Sequence, residues 1–215
     1  MVRTNVTDRD LVGFVEEART TIADSINLPE GYTLEWGGEF ENQQRAAARL
    51  GLVIPIALLL IAFLLFFTFR SIKQTLIVLS NIPFAMTGGL LALWVTGEFV
   101  SVPASVGFIA LLGIAVLNGV VLMSHFNYLA AKGMAIAQVV REGSMRRLRP
   151  VMMTATTCAF GLAPLLLASG PGSEIQKPLA IVVIGGLTSS TLLTLFLLPI
   201  IYQYFHRDPE RELVK

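Results

Sequence analysis

Five long apolar stretches dominate the sequence from Gly51 onward, and a charged segment precedes them. The stretches are Gly51–Phe69, Thr75–Val95, Val102–Ala130, Val151–Ser169 and Pro178–Phe205. No Asp, Glu, Lys or Arg stands inside any of them. Because about 20 consecutive apolar residues span the hydrocarbon core of a bilayer, the pattern predicts five transmembrane helices (about 51–69, 75–95, 102–130, 151–169 and 178–205) within a membrane region at 50–206.

The segment before the first apolar stretch predicts a strand, a helix and a second strand. The alternating positions typical of half-buried strands are Val2, Thr4 and Val6, and then Tyr32, Leu34 and Trp36. Between them, Leu11, Val15, Ala18 and Ile22 form an apolar stripe at helical spacing. Such a β-α-β unit is too small to bury a core alone. We therefore interpret residues 1–49 as the end of a larger subdomain, with a small membrane-capping unit as the alternative.

Composition and charge narrow the class of protein. Of the 215 residues, 54% are hydrophobic and 14% are charged, whereas about a quarter of a soluble domain is charged. The net charge of +1 provides none of the basic excess that phosphate binding needs, so no nucleic-acid partner is expected. The sequence contains no phosphate-binding GxxxxGK[ST] loop and no Ser–His–Asp or Cys–His set. We therefore expect a membrane protein that is not an enzyme.

The loops between the stretches predict the orientation in the bilayer. One side carries ten basic residues, namely Arg70, Lys73, Lys132, Arg141, Arg146, Arg147, Arg149, Arg207, Arg211 and Lys215, and the opposite loops carry only Lys177. The positive-inside rule makes the basic side cytoplasmic. Residues 1–49 are then periplasmic, 132–149 form an amphipathic cytoplasmic segment, and 207–215 form a cytoplasmic tail. Because no signal peptide precedes this outer segment, we expect the chain to be the tail of a longer protein.

Polar residues inside a bilayer are costly and are therefore candidates for function. Asn118 lies in the middle of the third stretch, and His125 follows on the same face. The hydroxyls of the fourth and fifth stretches can instead bond to their own backbone; they belong to Thr154, Thr156, Thr157, Thr188, Ser189, Ser190, Thr191 and Thr194. No carboxylate stands in any stretch, so these five helices cannot supply an acidic proton carrier.

Small residues recur along the predicted helices and favour close packing between them. They are Gly88, Gly89, Gly107, Gly113, Ala115, Gly119, Gly185, Gly186, Ser189 and Ser190. We interpret them as helix contacts, and no function is assigned to them.

Several motifs together resemble the C-terminal end of a resistance-nodulation-division efflux pump. They are LEWGGEFEN at 34–42, GFIAL at 107–111, AVLNG at 115–119, LRPVMMT at 148–154 and GSEIQKP at 172–178. The closest resemblance is to the heavy-metal branch of this family, the cobalt–zinc–cadmium (CzcA-type) inner-membrane component. It covers nearly the whole chain but only the last part of the family's length.

The resemblance implies a homotrimeric antiporter that exchanges protons for divalent metal cations, with a periplasmic adaptor protein and an outer-membrane channel as partners. It implies no resident cofactor, and it places the proton-carrying carboxylates in an earlier helix. It assigns Asn118, Arg147 and Thr154 to the neighbourhood of the proton relay, although the Lys that precedes the Asn in drug exporters is Leu117 here. Gln176 replaces a Met of copper-exporting relatives, which favours borderline or harder divalent cations over soft Cu(I).

The predicted fold class is therefore mainly α: a polytopic inner-membrane protein with five transmembrane helices after a small periplasmic β-α-β unit. The predicted function is export of cobalt, zinc or cadmium by a proton-driven transporter, of which this chain is the C-terminal portion. Two alternatives remain: a truncated membrane scaffold that moves no ions, or an exporter of drugs or other substrates from the same superfamily.

Overall fold

The computed structural model describes residue 6, residues 11–26, residues 29 and 31, residues 34–168, residue 170 and residues 172–205. The chain divides into two compact units, Met1–Ile54 and Pro55–Lys215. The described residues contain these helices: α1 (Leu11–Ser25), α2 (Glu39–Phe69), α3 (Ile72–Leu79), α4 (Asn81–Thr96), α5 (Val102–Ala131), α6 (Ile136–Leu166) and α7 (Ser173–Phe205).

Four segments of the described chain are long and apolar enough to cross a membrane. They are Phe40–Phe69, Ile72–Thr96, Val102–Ala131 and Ile175–Phe205. The second combines α3 and α4, which meet at Ser80. This junction precedes Pro83, which has no amide proton to bond the carbonyl of Leu79. These four segments correspond to the first, second, third and fifth predicted helices.

The fourth predicted helix, 151–169, is not a separate span in the structure. Its described part forms the second half of α6, whose first half is the amphipathic segment predicted at 132–149. Pro150 lies inside this continuous helix. The charges of the first half are those of Arg141, Glu142, Arg146, Arg147 and Arg149. Apolarity alone therefore supports four spans here, and the predicted count of five is not confirmed.

The described part of the N-terminal unit contains the predicted helix, and the predicted β-α-β arrangement is not confirmed there. Helix α1 buries Val15 on its apolar stripe. Val6, Leu34 and Trp36 belong to no strand among the described residues, so the strand prediction is not confirmed at these positions. A strand requires a hydrogen-bonded neighbour, and the described residues offer none. Val2, Thr4 and Tyr32 lie outside the described residues.

Small residues hold α7 against α4 and α5. A β-carbon on Gly88 would meet the side chain of Ser189, and one on Gly107 would lie 3.0 Å from the carbonyl oxygen of Leu179. A β-carbon on Gly186 would meet the side chain of Leu111. The predicted packing role of these glycines is confirmed. For Gly113 this role stays a prediction, since a β-carbon there would meet nothing within 4 Å among the described residues.

Two apolar clusters form the core of the second unit, and each contains residues from several helices. One cluster comprises Leu65, Ile77, Val78, Leu122, Met123, Phe126, Leu129, Val139, Leu198 and Tyr202. The other comprises Ala85, Leu93, Ala104, Phe108, Leu111, Ala115, Ile181, Val182 and Leu187. On α5, one cluster ends at Ala115 and the other begins at Leu122; on α7 the gap runs from Leu187 to Leu198. The buried polar residues of these helices lie in this gap.

Candidate functional site

The side chain of Asn118 is buried in the gap between the two apolar clusters. Only 7% of the residue is exposed, and its Nδ2 has no hydrogen-bond partner among the described residues. It lies on the buried face of α5, one turn after Ala115 and one turn before Leu122. The described residues therefore supply no hydrogen-bond acceptor for this amide nitrogen.

Asn81 connects α4 to both α5 and α7 at the same level. Its Nδ2 donates to the carbonyl oxygen of Ala115 at 3.2 Å and also to Oγ1 of Thr194. Asn81 and Thr194 are almost fully buried, at 5% and 0% exposure. One amide thus joins three helices, and it does so at the first residue of α4, where the helix has just restarted after Ser80.

Ser190 and Thr191 complete this group on α7. Both are almost fully buried, and neither Ser190 Oγ nor Thr191 Oγ1 has a hydrogen-bond partner among the described residues. Since residues three and four apart share a helix face, Ser190 and Thr191 both stack beside Thr194. We call Asn81, Asn118, Ser190, Thr191 and Thr194 the polar layer.

The packing register places the members of the polar layer on successive turns of the bundle. Gly107 faces Leu179 and Val182, and Gly186 faces Leu111, so α5 and α7 run side by side at these turns. If the same register continues, Ala115 lies beside Ser190, and Asn118 and Gly119 lie one turn further on, beside Thr194. A β-carbon on Gly119 would lie 3.7 Å from Nδ2 of Asn81, which fits this arrangement.

Thr154 and Arg147 occupy a different environment from Asn118. Thr154 is exposed, and its hydroxyl donates to the carbonyl oxygen of Pro150 in its own helix at 3.0 Å. Arg147 is half-buried on the first half of α6. Among the described hydrogen bonds and ion pairs, none joins any two of Asn118, Thr154 and Arg147. Their common role in a proton relay remains a prediction.

A second polar group lies at the end of α5. Gln74 and Asn127 exchange two hydrogen bonds, at 3.1 and 2.8 Å, and so tie α3 to α5. His125 lies on α5, two residues before Asn127. Its Nε2 is buried and has no partner among the described residues. This group belongs to the end of the bundle that the sequence predicts to be cytoplasmic.

Gln176 lies near the opposite end of the bundle. It is exposed, and the neighbouring Lys177 pairs with Glu98 at 3.1 Å. Within the described parts of the chain, no three His, Cys, Asp or Glu side chains come together as a metal site would require. Gln176 therefore belongs to no such cluster in the described part of the chain.

Sequence reasoning missed Asn81, Gln74 and Asn127. Asn81 and Asn127 each interrupt an apolar stretch as Asn118 does, so the same signal applied throughout could have singled them out. No pattern along the chain shows that Asn81 meets Thr194, since 113 positions separate them.

Comparison with known proteins places this arrangement in a family. The model that describes AcrB, AcrD and AcrF matches residues 1–206. The chain belongs to the AcrB/AcrD/AcrF family. Its relatives include proteins named for heavy-metal resistance and cation efflux.

Within the AcrB/AcrD/AcrF family, the chain is 49% identical to the cobalt-zinc-cadmium resistance protein CzcA of Cupriavidus metallidurans over 98% of its length. It is 48% identical to the nickel and cobalt resistance protein CnrA of the same organism and 34% identical to the cation efflux system protein CusA of Escherichia coli. It covers 20%, 18% and 21% of these three relatives, so it spans about one fifth of their length.

A solved structure agrees with this assignment. The crystal structure of a heavy metal efflux pump (crystal form II) superposes with a TM-score of 0.81 at 44% identity, covering 95% of this chain and 20% of that one. The helical arrangement described above therefore matches that of one part of this heavy metal efflux pump. The predicted resemblance to this branch is confirmed.

Proposed function

We propose that this chain acts as the C-terminal portion of a proton-driven transporter that exports divalent heavy-metal cations, such as cobalt, zinc or cadmium, across the bacterial cell envelope. The observation that carries the proposal is the 49% identity to CzcA over nearly the whole chain. The lower identity to CusA, at 34%, and the Gln at position 176 fit a cation less soft than Cu(I).

The proposed membrane arrangement contains five spans. The apolar half of α6, from Val151 to Leu166, would cross the membrane beside α5 and α7 as the fifth span, because Ala155, Cys158 and Leu166 pack against the cluster formed by those helices. The positive-inside rule then directs the first half of α6 and the C-terminus to the cytoplasm and residues 1–49 to the periplasm.

The proposed energy source requires acidic groups outside these helices. A proton carrier in a membrane must change charge as protons pass, and none of the predicted stretches contains an Asp or Glu. The remainder of the transporter would supply them, together with the partners expected for this family: two further copies in a homotrimer, a periplasmic adaptor protein and an outer-membrane channel.

Complementation in a metal-sensitive bacterium that lacks its own pump tests this proposal. We expect residues 1–215 alone to restore no tolerance to zinc, cobalt or cadmium, since they contain no acid in the membrane. We expect tolerance when they are expressed as part of the complete transporter. Metal tolerance from residues 1–215 alone would refute the inference that the proton-carrying acids lie in the remainder of the transporter. Absence of tolerance from the complete transporter would refute metal export.

Substitution of Asn118 tests its predicted place near the relay. In the complete transporter, we expect Asn118→Leu to reduce metal export several-fold at unchanged membrane abundance, because Leu removes the amide and keeps a similar volume. Cation efflux from loaded cells and quantitative immunoblotting of membranes measure the two quantities. Ile109→Leu, a partly exposed apolar change on the same helix, is the matched control. Equal metal export by Asn118→Leu and the control would show that Asn118 acts only in helix packing.

A further inference from the structure

We propose that the polar layer holds internal water, bound by Asn118 of α5 and by Ser190 and Thr191 of α7. This inference does not rest on the proposed transport function. It concerns the α4–α5–α7 interface, and it would hold for a transporter of any substrate.

The first step is the unmet bonding capacity of the layer. Asn118 Nδ2, Ser190 Oγ and Thr191 Oγ1 are buried and have no partner among the described residues. Each residue is more than nine-tenths buried. Leaving a buried polar group without a partner costs far more free energy than a hydrogen bond gains. In a folded protein such groups are satisfied by protein or by ordered water.

The second step is that other hydroxyls of these helices do find protein partners. Thr188 Oγ1 donates to the carbonyl oxygen of Ile184 at 2.8 Å, and Ser189 Oγ donates across the interface to the carbonyl oxygen of Phe84 at 3.1 Å. Ser190 and Thr191 come next in the same helix and do neither. Among the described residues, their hydroxyls therefore have no hydrogen-bond partner.

The third step is the position of these groups between two apolar clusters. The polar layer occupies the gap between the two apolar clusters on α4, α5 and α7. Polar groups on successive turns of adjacent helices can each bind water within such a gap. Internal waters make about three hydrogen bonds each and bind where two to four polar groups converge.

The fourth step distinguishes water from a cation. Asn118 Nδ2 is a donor, and a hydroxyl can both donate and accept. Water can accept from Asn118 Nδ2 and donate to a hydroxyl, whereas a cation would leave this Nδ2 donor unsatisfied. No carboxylate stands in the surrounding apolar stretches to neutralise a cation. The donor set therefore matches water.

Ser190→Ala and Thr191→Val test the proposal through the sign of their effect on stability. If water is bound, each change removes one of its partners, and we expect the apparent melting temperature of the membrane-embedded protein to fall by a few degrees. If the layer is dry, each change removes an unpaired hydroxyl, and the melting temperature would stay the same or rise. That second result would overturn the proposal. Thr188→Val, which removes an exposed hydroxyl bonded to its own helix, is the matched control and should change little.

Water-edited solid-state NMR provides a readout that does not depend on stability. Magnetisation should pass from water protons to the methyl group of Thr191 faster than to the methyl groups of Val182. Both residues lie on α7 and are at most 3% exposed, so burial alone predicts equal rates. Equal rates for the two residues would overturn the proposal even if the substitutions failed to fold.

Discussion

Gly185→Val should prevent stable assembly of the helix bundle. A β-carbon at Gly185 would collide with the β-carbon of Ala92 and would lie 3.0 Å from the carbonyl oxygen of Gly88. Both obstacles are at or next to the backbone of α4, so no flexible side chain can move aside. The helices would have to separate along an interface that small residues bring close together. Overpacking of a tight contact costs about 1–3 kcal/mol, and we expect a marked loss of folded protein from the membrane.

Gly113→Val is the matched control for this substitution. Gly113 is also a helical glycine in a membrane-spanning segment, but a β-carbon there would meet nothing within 4 Å. The corresponding alanine variants sharpen the comparison, because replacing a helical Gly by Ala gains about 0.5–1 kcal/mol where space allows. We expect Gly113→Ala to keep or raise the melting temperature and Gly185→Ala to lower it. The same direction for both would contradict the packing described here.

Asn81→Leu should be the most damaging polar substitution in the bundle. It removes the hydrogen bonds to the carbonyl oxygen of Ala115 and to Oγ1 of Thr194, and so it disconnects α4 from two helices at once. A lost hydrogen bond between transmembrane helices costs about 0.6–2 kcal/mol. Since two are lost, we expect a decrease in the free energy of unfolding of about 1–3 kcal/mol, measured by denaturation in mixed detergent micelles.

A double-mutant cycle with Thr194→Val isolates the contact between the two side chains. If Asn81 and Thr194 interact as described, the double variant should lose less stability than the two single variants summed. Thr87→Val is the control, because its exposed hydroxyl bonds only to the carbonyl oxygen of Phe84 in its own helix. Full additivity of Asn81→Leu and Thr194→Val would show that the contact contributes nothing.

The predictions for the apolar stretches agree with the structure where the sequence signal is continuous. The first, second, third and fifth stretches correspond to helices that can span a membrane. The fourth differs because α6 joins a charged half and an apolar half through Pro150. Proline leaves one carbonyl without its amide partner. Pro150 therefore suggests a helix boundary in the sequence, although α6 continues through it.

The N-terminal unit shows the opposite relation between pattern and structure. The stripe containing Val15 predicts α1, because an amphipathic helix makes all of its backbone hydrogen bonds internally. The alternation at Leu34 and Trp36 does not produce a strand in the described residues. A strand bonds only to a neighbouring strand, and the part of the chain that the structure describes contains no such neighbour for Leu34 and Trp36.

Sequence alone determined the class of this protein, four of its helical spans and its family resemblance, because apolar length and the absence of charge are properties that each stretch carries by itself. It also singled out Asn118 as costly and the glycines as contacts. Only the tertiary structure decided what these residues meet: which glycines face another backbone, that Asn81 bridges α4 to Thr194, and that Ser190 Oγ and Thr191 Oγ1 have no partner among the described residues. The physical reason is that hydrogen bonds and close packing between helices depend on register and rotation. Those are set by all the contacting faces together and by no single stretch.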